Sequence, residues 1–194
     1  VESEVEAMLE RIRKHHGTLV AVIHTAEYFS DAALAIQDPE SIRRVWGPKA
    51  DAAWFLHKHT VDRDHELGAF ISYSSVASLL GSVGQANSTA ANAYLDELAR
   101  WRASQGLPGV SIQWPAVSGV NKGGATEQAR SGVTTTIGVS TVKQVLRQVL
   151  GVTPALLTSA VQVVMPRGVL EVEVMTSVSS ARLLRDVQVS ESNS

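Results

Sequence analysis

The sequence predicts an α/β fold in which a parallel sheet is flanked by helices, and two observations support this. Short apolar runs typical of buried parallel strands occur at residues 18–23, 69–73 and 110–114. Between them lie longer stretches in which apolar residues recur at helical spacing. Strands that alternate with helices in this way form right-handed βαβ units, so we expect the strands to run parallel in one sheet.

Length and composition indicate one ordinary soluble domain spanning residues 1–194. The hydrophobic share is 44%, the charged share 19% and the net charge −2, with acids and bases interleaved, which favours neither nucleic acid nor anionic lipid as a partner. The chain has no cysteine, which excludes disulfides and thiol nucleophiles. No apolar run approaches a membrane span, so we expect a cytoplasmic or other soluble intracellular location.

The N-terminal part is predicted to begin with an amphipathic helix at residues 4–15. After the first strand, Asp38 supplies a helix cap and Pro39 a first-turn proline. The helix that begins there is predicted to continue, beyond the Gly-Pro pair at residues 47–48, towards residue 57.

The central strand at residues 69–73 is followed by two serines, Ser74 and Ser75, and later by a long helix at residues 90–104. Ligands bind open α/β sheets at the carboxyl ends of the strands, where these serines lie. The helix pattern predicts an apolar inner face and a charged outer face. The predicted inner residues are Ala91, Tyr94, Leu95, Leu98 and Trp101, and the predicted outer residues are Asp96, Glu97 and Arg100.

The C-terminal part is predicted to hold a Gly/Ser/Thr-rich loop or lid at residues 117–138 and a helix at residues 140–150. A fourth strand is expected at residues 160–165. Three weaker predictions follow: a strand at 169–175, a short helix at 181–186 and a disordered tail at 188–194.

The segment around Ser75 carries a recognisable motif. Residues 74–87 spell S-S-V-A-S-L-L-G-S-V-G-Q-A-N, residues 90–99 spell A-A-N-A-Y-L-D-E-L-A, and residues 106–108 are G-L-P. This pattern resembles the ketoreductase domains of modular polyketide synthases, which are relatives of the short-chain dehydrogenases/reductases.

The resemblance implies a Rossmann-like parallel sheet with flanking helices, of which this chain would be the later, C-terminal half. The segment TLVAVIHTA at residues 18–26 would be the family's fourth strand. None of the fourteen glycines forms the G-x-G-x-x-G turn that binds a dinucleotide. We therefore expect the N-terminal nucleotide-binding half to lie upstream of Val1 and this chain to be a fragment of the domain.

The resemblance also implies four catalytic positions. Ser75 matches the family's active serine, Asn92 its asparagine, and Lys49 the lysine that contacts the ribose and lowers the tyrosine pKa. The tyrosine that donates the proton is replaced by Ser88. Taken singly, each residue also has an ordinary explanation: Ser75 could cap a loop, and Asn92 and Lys49 could be solvated surface residues.

NADPH is the cofactor that the resemblance implies. Thr25 and Ala26 after the first strand, Lys49, and Pro115 and Ala116 after the third strand are the expected cofactor-binding residues. The sequence departs from the family pattern at Glu27, where relatives have glycine, and at Pro115, where many have glycine. A carboxylate at position 27 adds bulk and negative charge near the expected nicotinamide ribose.

Two functional hypotheses follow. In the first, the chain is part of a reductase that converts a β-ketoacyl thioester, carried on an acyl carrier protein, to the β-hydroxyacyl form, with activity impaired at Ser88. In the second, it is a non-catalytic ketoreductase remnant that packs against neighbouring synthase domains. An aliphatic hydroxyl is shorter and far less acidic than a phenol, whose pKa is about 10, so Ser88 favours a loss of activity.

Other kinds of site have less support. The group His57, His59, Asp62, Asp64 and His65 contains residue types that bind metals, but its setting favours a solvated charged turn, and no metal is expected. No G-x-S-x-G elbow surrounds the serines, which argues against a hydrolase. The tryptophans at positions 46, 54, 101 and 114 are predicted to pack in the core.

Overall fold

The computed structural model describes residues 1–118, 136–151 and 161–164. In chain order the elements are α1 (Glu2–His16), β1 (Ala21–His24), a 3₁₀ turn (Leu34–Ile36), α2 (Pro39–Trp46), a π-helical segment (Gly47–Asp51), α3 (Ala52–Thr60), β2 (Ala69–Ser75), α4 (Ala77–Leu80), α5 (Ala86–Ser104), β3 (Val110–Trp114), α6 (Val139–Gly151) and β4 (Val161–Val163).

The four described strands form one parallel sheet in the order β1-β2-β3-β4. Ile71 in the middle of β2 pairs with Ile23 of β1 and with Val110 of β3. This arrangement confirms the predicted α/β fold. β1 lies at the edge of the described sheet, where Val20 is 64% and Ile23 46% exposed.

Two sets of helices cover the sheet. On one side, Val145 and Val149 of α6 pack with Ile71 and with buried residues of β3. On the other side, α5 and α3 contribute Ala53, Leu95 and Leu98. The core is therefore built from apolar side chains on both sides of the central strands.

The segment between α2 and α3 winds as a π-helix because of Pro48. Asp38 caps α2 by accepting a hydrogen bond from the Ser41 amide at 2.6 Å, as predicted. Pro48 has no amide hydrogen and its ring crowds the preceding turn, so the helix cannot pass through it with ordinary α-helical bonds. The wider turn keeps the chain helical, and π-turns of this kind are frequent at functional sites.

Several sequence-based expectations about α5 and α3 were wrong. α5 begins at Ala86, four residues earlier than predicted. Asp96 is 4% exposed and faces inward, because three hydrogen-bond donors surround its carboxylate. Trp101 and Trp54 were predicted to pack in the core, but they are 44% and 40% exposed. Their rings lie at the protein surface, in contact with each other and with His57.

The remaining helix and strand predictions match the described residues closely. β3 has the predicted bounds, α6 extends the predicted helix by a residue at each end, and β1 starts three residues later than expected. Most of the predicted loop at 117–138, the strand at 169–175, the helix at 181–186 and the tail at 188–194 lie outside the described residues. Among the described helices, none is long and apolar enough to cross a membrane.

Candidate functional site

Most of the residues singled out from the sequence lie at one edge of the sheet, where the strands end. Thr25 and Ala26 follow β1 and are exposed, Ser75 is the last residue of β2, and Pro115 and Ala116 follow β3 and are buried. Because parallel strands end at the same edge, the fold brings these segments together, although they are far apart in the sequence.

Lys49 is buried at this edge and carries an ion pair. Only 3% of its side chain is exposed, and its Nζ donates a hydrogen bond to Oε1 of Glu27 at 2.9 Å. The Glu27 side chain is 25% exposed. Glu27, where relatives have glycine, therefore places a carboxylate in contact with Lys49, the lysine to which the resemblance assigns a function.

His24 connects β1 to the π-helical segment. Its Nε2 lies 2.8 Å from the backbone carbonyl of Lys49, and because a carbonyl only accepts, Nε2 carries the hydrogen. Burial lowers the pKa of His24, which keeps the ring neutral. This contact fixes the backbone of Lys49 at the end of β1.

Ser88 and Asn92 lie one turn apart on the buried side of α5. They are 5% and 2% exposed. The backbone carbonyl of Asn92 accepts a hydrogen bond from Ser74 Oγ at 3.3 Å, which places this turn of α5 against the end of β2. Ser88 Oγ and Asn92 Oδ1 have no hydrogen-bond partner in the part of the chain that the structure describes. A buried polar atom left unpaired costs about 1–3 kcal/mol, so both atoms mark an unusual position.

The loop after β1 holds the start of α5. Asn87 Nδ2 donates to the carbonyl of Ser30 at 2.7 Å, and Gln85 Nε2 donates to Asp31 Oδ2 at 3.1 Å. The Ala32 amide donates to the carbonyl of Gly84 at 2.9 Å. These contacts set the position of Ser88 with respect to the segment that carries Glu27.

The sequence analysis missed a second buried polar group, which we call the Asp96 network: Asp96, Ser78, Ser111 and Gln113. The Asp96 carboxylate accepts from Ser111 Oγ at 2.6 Å, from Ser78 Oγ at 2.7 Å and from Gln113 Nε2 at 2.7 Å. The network ties α5 to β3 and to α4. One signal could have revealed it: polar Ser111 and Gln113 alternate on a strand that is otherwise apolar.

The Asp96 network reaches the active-serine position through the backbone. Ser78 Oγ lies 2.8 Å from the carbonyl of Ser75, and Ser75 Oγ accepts from the Ala77 amide at 3.2 Å. Ser75 is therefore held in a tight turn between β2 and α4. This geometry is compatible with a capping role for the Ser75 side chain and also with the catalytic role that the resemblance implies.

Tyr73 and Tyr94 are half-buried, and each packs against a tryptophan. The Tyr94 ring lies 5.4 Å from Trp46 and the Tyr73 ring 5.3 Å from Trp114. Burial raises the pKa of both phenols, which makes them weaker acids.

The charged turn after α3 is not fully solvated, contrary to the expectation from its sequence. Asp64 is 4% exposed and accepts from Arg13 at 3.1 and 2.6 Å. His57 is 4% exposed and its Nδ1 lies 2.6 Å from Nη1 of Arg102. Within residues 1–118, 136–151 and 161–164, no group of three or more His, Cys, Asp or Glu side chains is arranged to hold a metal ion.

Comparison with protein families decides the classification. The model of the KR domain matches residues 1–119. The chain belongs to the ketoreductase (KR) domain family. The KR match covers Lys49, Ser75, Ser88 and Asn92, so all four candidate catalytic positions fall inside the shared region.

Known relatives of this KR chain are much longer proteins. It is 46% identical over 111 residues to polyketide synthase GfsB of Streptomyces halstedii, covering 57% of this chain and 2% of that protein. It is 40% identical over 138 residues to the spectinabilin polyketide synthase protein NorB of Streptomyces orinoci, covering 68% of this chain and 6% of the relative. The chain thus spans a small fraction of the synthases that it matches.

Solved structures give the same fold. The first ketoreductase of the tylosin polyketide synthase matches with a TM-score of 0.65 at 32% identity, covering 75% of this chain and 32% of that one. A short-chain dehydrogenase from Streptomyces avermitilis matches with a TM-score of 0.71 at 14% identity, covering 86% of this chain and 67% of that one, which supports the fold alone. The KR chain therefore has the short-chain dehydrogenase/reductase type of Rossmann-like fold.

Proteins of the KR family use NAD(P)H, and the residues at the Lys49 end of this site do not fit that group well. A lysine that contacts a ribose must offer its ammonium to a hydroxyl. Here the Lys49 ammonium already donates to the Glu27 carboxylate at 2.9 Å. Glu27 thus engages one of the three N–H donors of Lys49 and places a negative charge beside the family's lysine.

Proposed function

We propose that this chain is the later part of a polyketide-synthase ketoreductase domain in which ketone reduction is lost or strongly impaired. The parent reaction is NADPH-dependent reduction of a β-ketoacyl thioester on an acyl carrier protein. The upstream nucleotide-binding half, the acyl carrier protein and the neighbouring synthase domains are the partners that this proposal requires.

The observation that carries the proposal is the side chain at position 88. Reduction of a ketone needs a proton at the carbonyl oxygen, and a general acid must first be within hydrogen-bond reach of that oxygen. Ser88 is shorter than tyrosine by a whole ring, and its hydroxyl is buried on α5. It is also a much weaker acid than a phenol, so it fails on both reach and pKa.

The Glu27–Lys49 ion pair supports the same conclusion independently. In a working ketoreductase the lysine would lower the pKa of a phenol through its positive charge. A carboxylate at 2.9 Å from Nζ offsets most of that charge. A serine at position 88 and a carboxylate beside Lys49 are thus the two features that support the proposed loss of activity.

A second candidate function has one observation in its favour. Ser88 Oγ and Asn92 Oδ1 are both buried and unpaired among the described residues, which is the setting in which proteins hold ordered water. A water held there could deliver the proton in place of the missing phenol. In that case the chain would belong to a slow but working reductase.

The test is the consumption of NADPH with a β-ketoacyl thioester. The protein assayed is a hybrid in which the first half of a ketoreductase domain from an active relative precedes Val1. We expect consumption at background, while the intact relative turns over under the same conditions. Turnover in the hybrid that disappears on Asn92→Ala, with NADPH binding unchanged, would instead support the water-assisted reductase.

A further inference from the structure

The Glu27–Lys49 ion pair joins two segments that lie on either side of the edge strand. Glu27 follows β1, and Lys49 lies in the π-helical segment 22 residues further along the chain. The carbonyl of Lys49 is also held by His24 at 2.8 Å, so both the backbone and the ammonium of this residue are fixed from the β1 side.

The burial of Lys49 makes its charge partner important. An ammonium with 3% exposure has lost almost all of its hydration, which is costly unless an anion and hydrogen bonds replace the water. The Glu27 carboxylate supplies both at 2.9 Å. Its own 25% exposure leaves a path from solvent to the pair.

We propose that Lys49 forms the cationic half of a small anion-binding site, and that Glu27 is a tethered carboxylate that fills this site from within the chain. Glu27 thereby compensates the buried ammonium and excludes ligands that would bind through an anionic or hydroxyl oxygen. This role does not depend on Ser88, so the proposal can fail while the proposed function stands, and the reverse.

A tethered group outcompetes a free one because its effective concentration is high. For short flexible links this concentration is of millimolar order or more, and here the link is folded in place. A free carboxylate should therefore have no effect on the wild-type chain at moderate concentration. Once the tether is removed, the same free carboxylate should bind beside Lys49 and stabilise the folded state.

The experiment is chemical rescue of the 194-residue chain by sodium acetate, followed by urea unfolding. Glu27→Ala should lower the equilibrium constant between folded and unfolded chains by roughly tenfold to a hundredfold. This is less than the loss on breaking a fully buried ion pair, because the Glu27 side chain is 25% exposed. Acetate should then raise that constant in proportion to its concentration, by roughly two- to fivefold at a few multiples of a dissociation constant. Sodium chloride at matched ionic strength should give a smaller rise.

Three variants serve as controls. Lys49→Met and the double variant Glu27→Ala/Lys49→Met should show no acetate response, and the double variant should be more stable than Glu27→Ala because the buried charge is gone. Glu2→Ala removes the partner of Lys58, in a pair with 55% and 37% exposed side chains, together with a contact to His59 at 3.1 Å. It should show neither a large loss nor rescue.

Two results would overturn the proposal. One is a Glu27→Ala chain as stable as the wild type, and the other is an equal effect of acetate and chloride on that variant. If Glu27→Ala does not fold at all, the double variant decides. A folded double variant supports the loss of the carboxylate beside the Lys49 ammonium as the cause, and an unfolded one contradicts it.

Discussion

Two buried polar regions at the ends of α5 and the strands differ in how well they are satisfied. In the Asp96 network, the carboxylate accepts three hydrogen bonds from side chains on α4 and β3. One and two turns earlier on α5, Asn92 Oδ1 and Ser88 Oγ have no partner among the described residues. In the Asp96 network, Gln113 Oε1 is the side-chain atom that is buried without a partner among those residues. The first region joins α5 to α4 and β3, whereas the second holds Ser88, the position on which the proposed loss of activity depends.

This difference indicates that the hydrogen bonds that hold the site in place are distinct from the residues expected to carry its chemistry. The Asp96 network fixes the turn that carries Ser75 and needs no bound ligand to do so. Under the proposed function, the chemistry depends on the residue at position 88 and on the Lys49 ammonium. The hydrogen bonds of the Asp96 network involve neither residue, so the proposed loss of activity is compatible with the family fold.

The largest expected effect on stability is at Asp96. Asp96→Ala removes three hydrogen bonds to a buried carboxylate. It leaves Ser111 Oγ without its acceptor, whereas Ser78 Oγ keeps the Ser75 carbonyl and Gln113 Nε2 keeps Ser78 Oγ. The free energy of unfolding should fall by about 3–5 kcal/mol. Asp96→Asn keeps one acceptor oxygen and should lose less. Urea unfolding measures both. A loss below about 1 kcal/mol for Asp96→Ala would mean that the network does not hold the fold.

The pH dependence of folding should report a further part of the framework, the His57–Arg102 contact. Burial, and then the charge of Arg102, lower the pKa of His57 from 6.5 to about 4, while Asp62 opposes this weakly. The guanidinium only donates, so His57 Nδ1 accepts and the ring is neutral in the folded state. Burial also lowers the pKa of His24, which acts in the same direction.

On acidification the unfolded chain therefore binds protons before the folded chain does. The free energy of unfolding should fall as the pH drops from 6.5 to about 4, by up to about 3 kcal/mol from His57, and should change no further from this group at lower pH. Unfolding at a series of pH values, with His57→Gln as the comparison, measures this slope. An equal slope in both proteins would show that His57 is not responsible.

The smallest stability effects compare the two regions directly through two buried hydroxyls. Ser111→Ala removes a hydrogen bond of 2.6 Å to Asp96 and should cost about 1–3 kcal/mol. Ser88→Ala removes a hydroxyl that has no partner among the described residues, so it should be neutral or stabilising by up to about 1 kcal/mol. Equal losses for the two variants would show that Ser88 is satisfied after all.

Much of the framework could be predicted from the sequence because it follows from periodicity and local signals. β3 and the Asp38 cap were predicted correctly, and so were the buried positions of Leu95 and Leu98. Asp96 was not, because helical periodicity sorts residues by polarity and cannot detect buried donors on another strand. The burial of Asp96 was revealed only by the structure, in which α5 packs against β3 and brings Asp96 to Ser111 and Gln113.

The candidate site was predictable from the motif only in part. The positions of Ser75, Ser88 and Asn92 followed from the resemblance, and the fold places their segments at one edge of the sheet. The ion pair between Glu27 and Lys49 was beyond sequence reasoning. It joins a residue after β1 to a residue in the π-helical segment, 22 positions apart, and no local sequence signal relates two such residues.

The most direct test of the central claim is the exchange Ser88→Tyr in the hybrid that supplies the nucleotide-binding half. A phenol at this position restores a general acid, which is typically worth about 10²–10⁴ in rate. We expect NADPH consumption with a β-ketoacyl thioester to rise from background in Ser88→Tyr, and to rise further when Glu27→Gly frees Lys49, with the two changes more than additive because they share one site. Ser88→Phe, which adds the ring without the hydroxyl, should stay at background. Wild-type turnover equal to that of Ser88→Tyr would contradict the account, because the proton would then come from a group other than the residue at position 88.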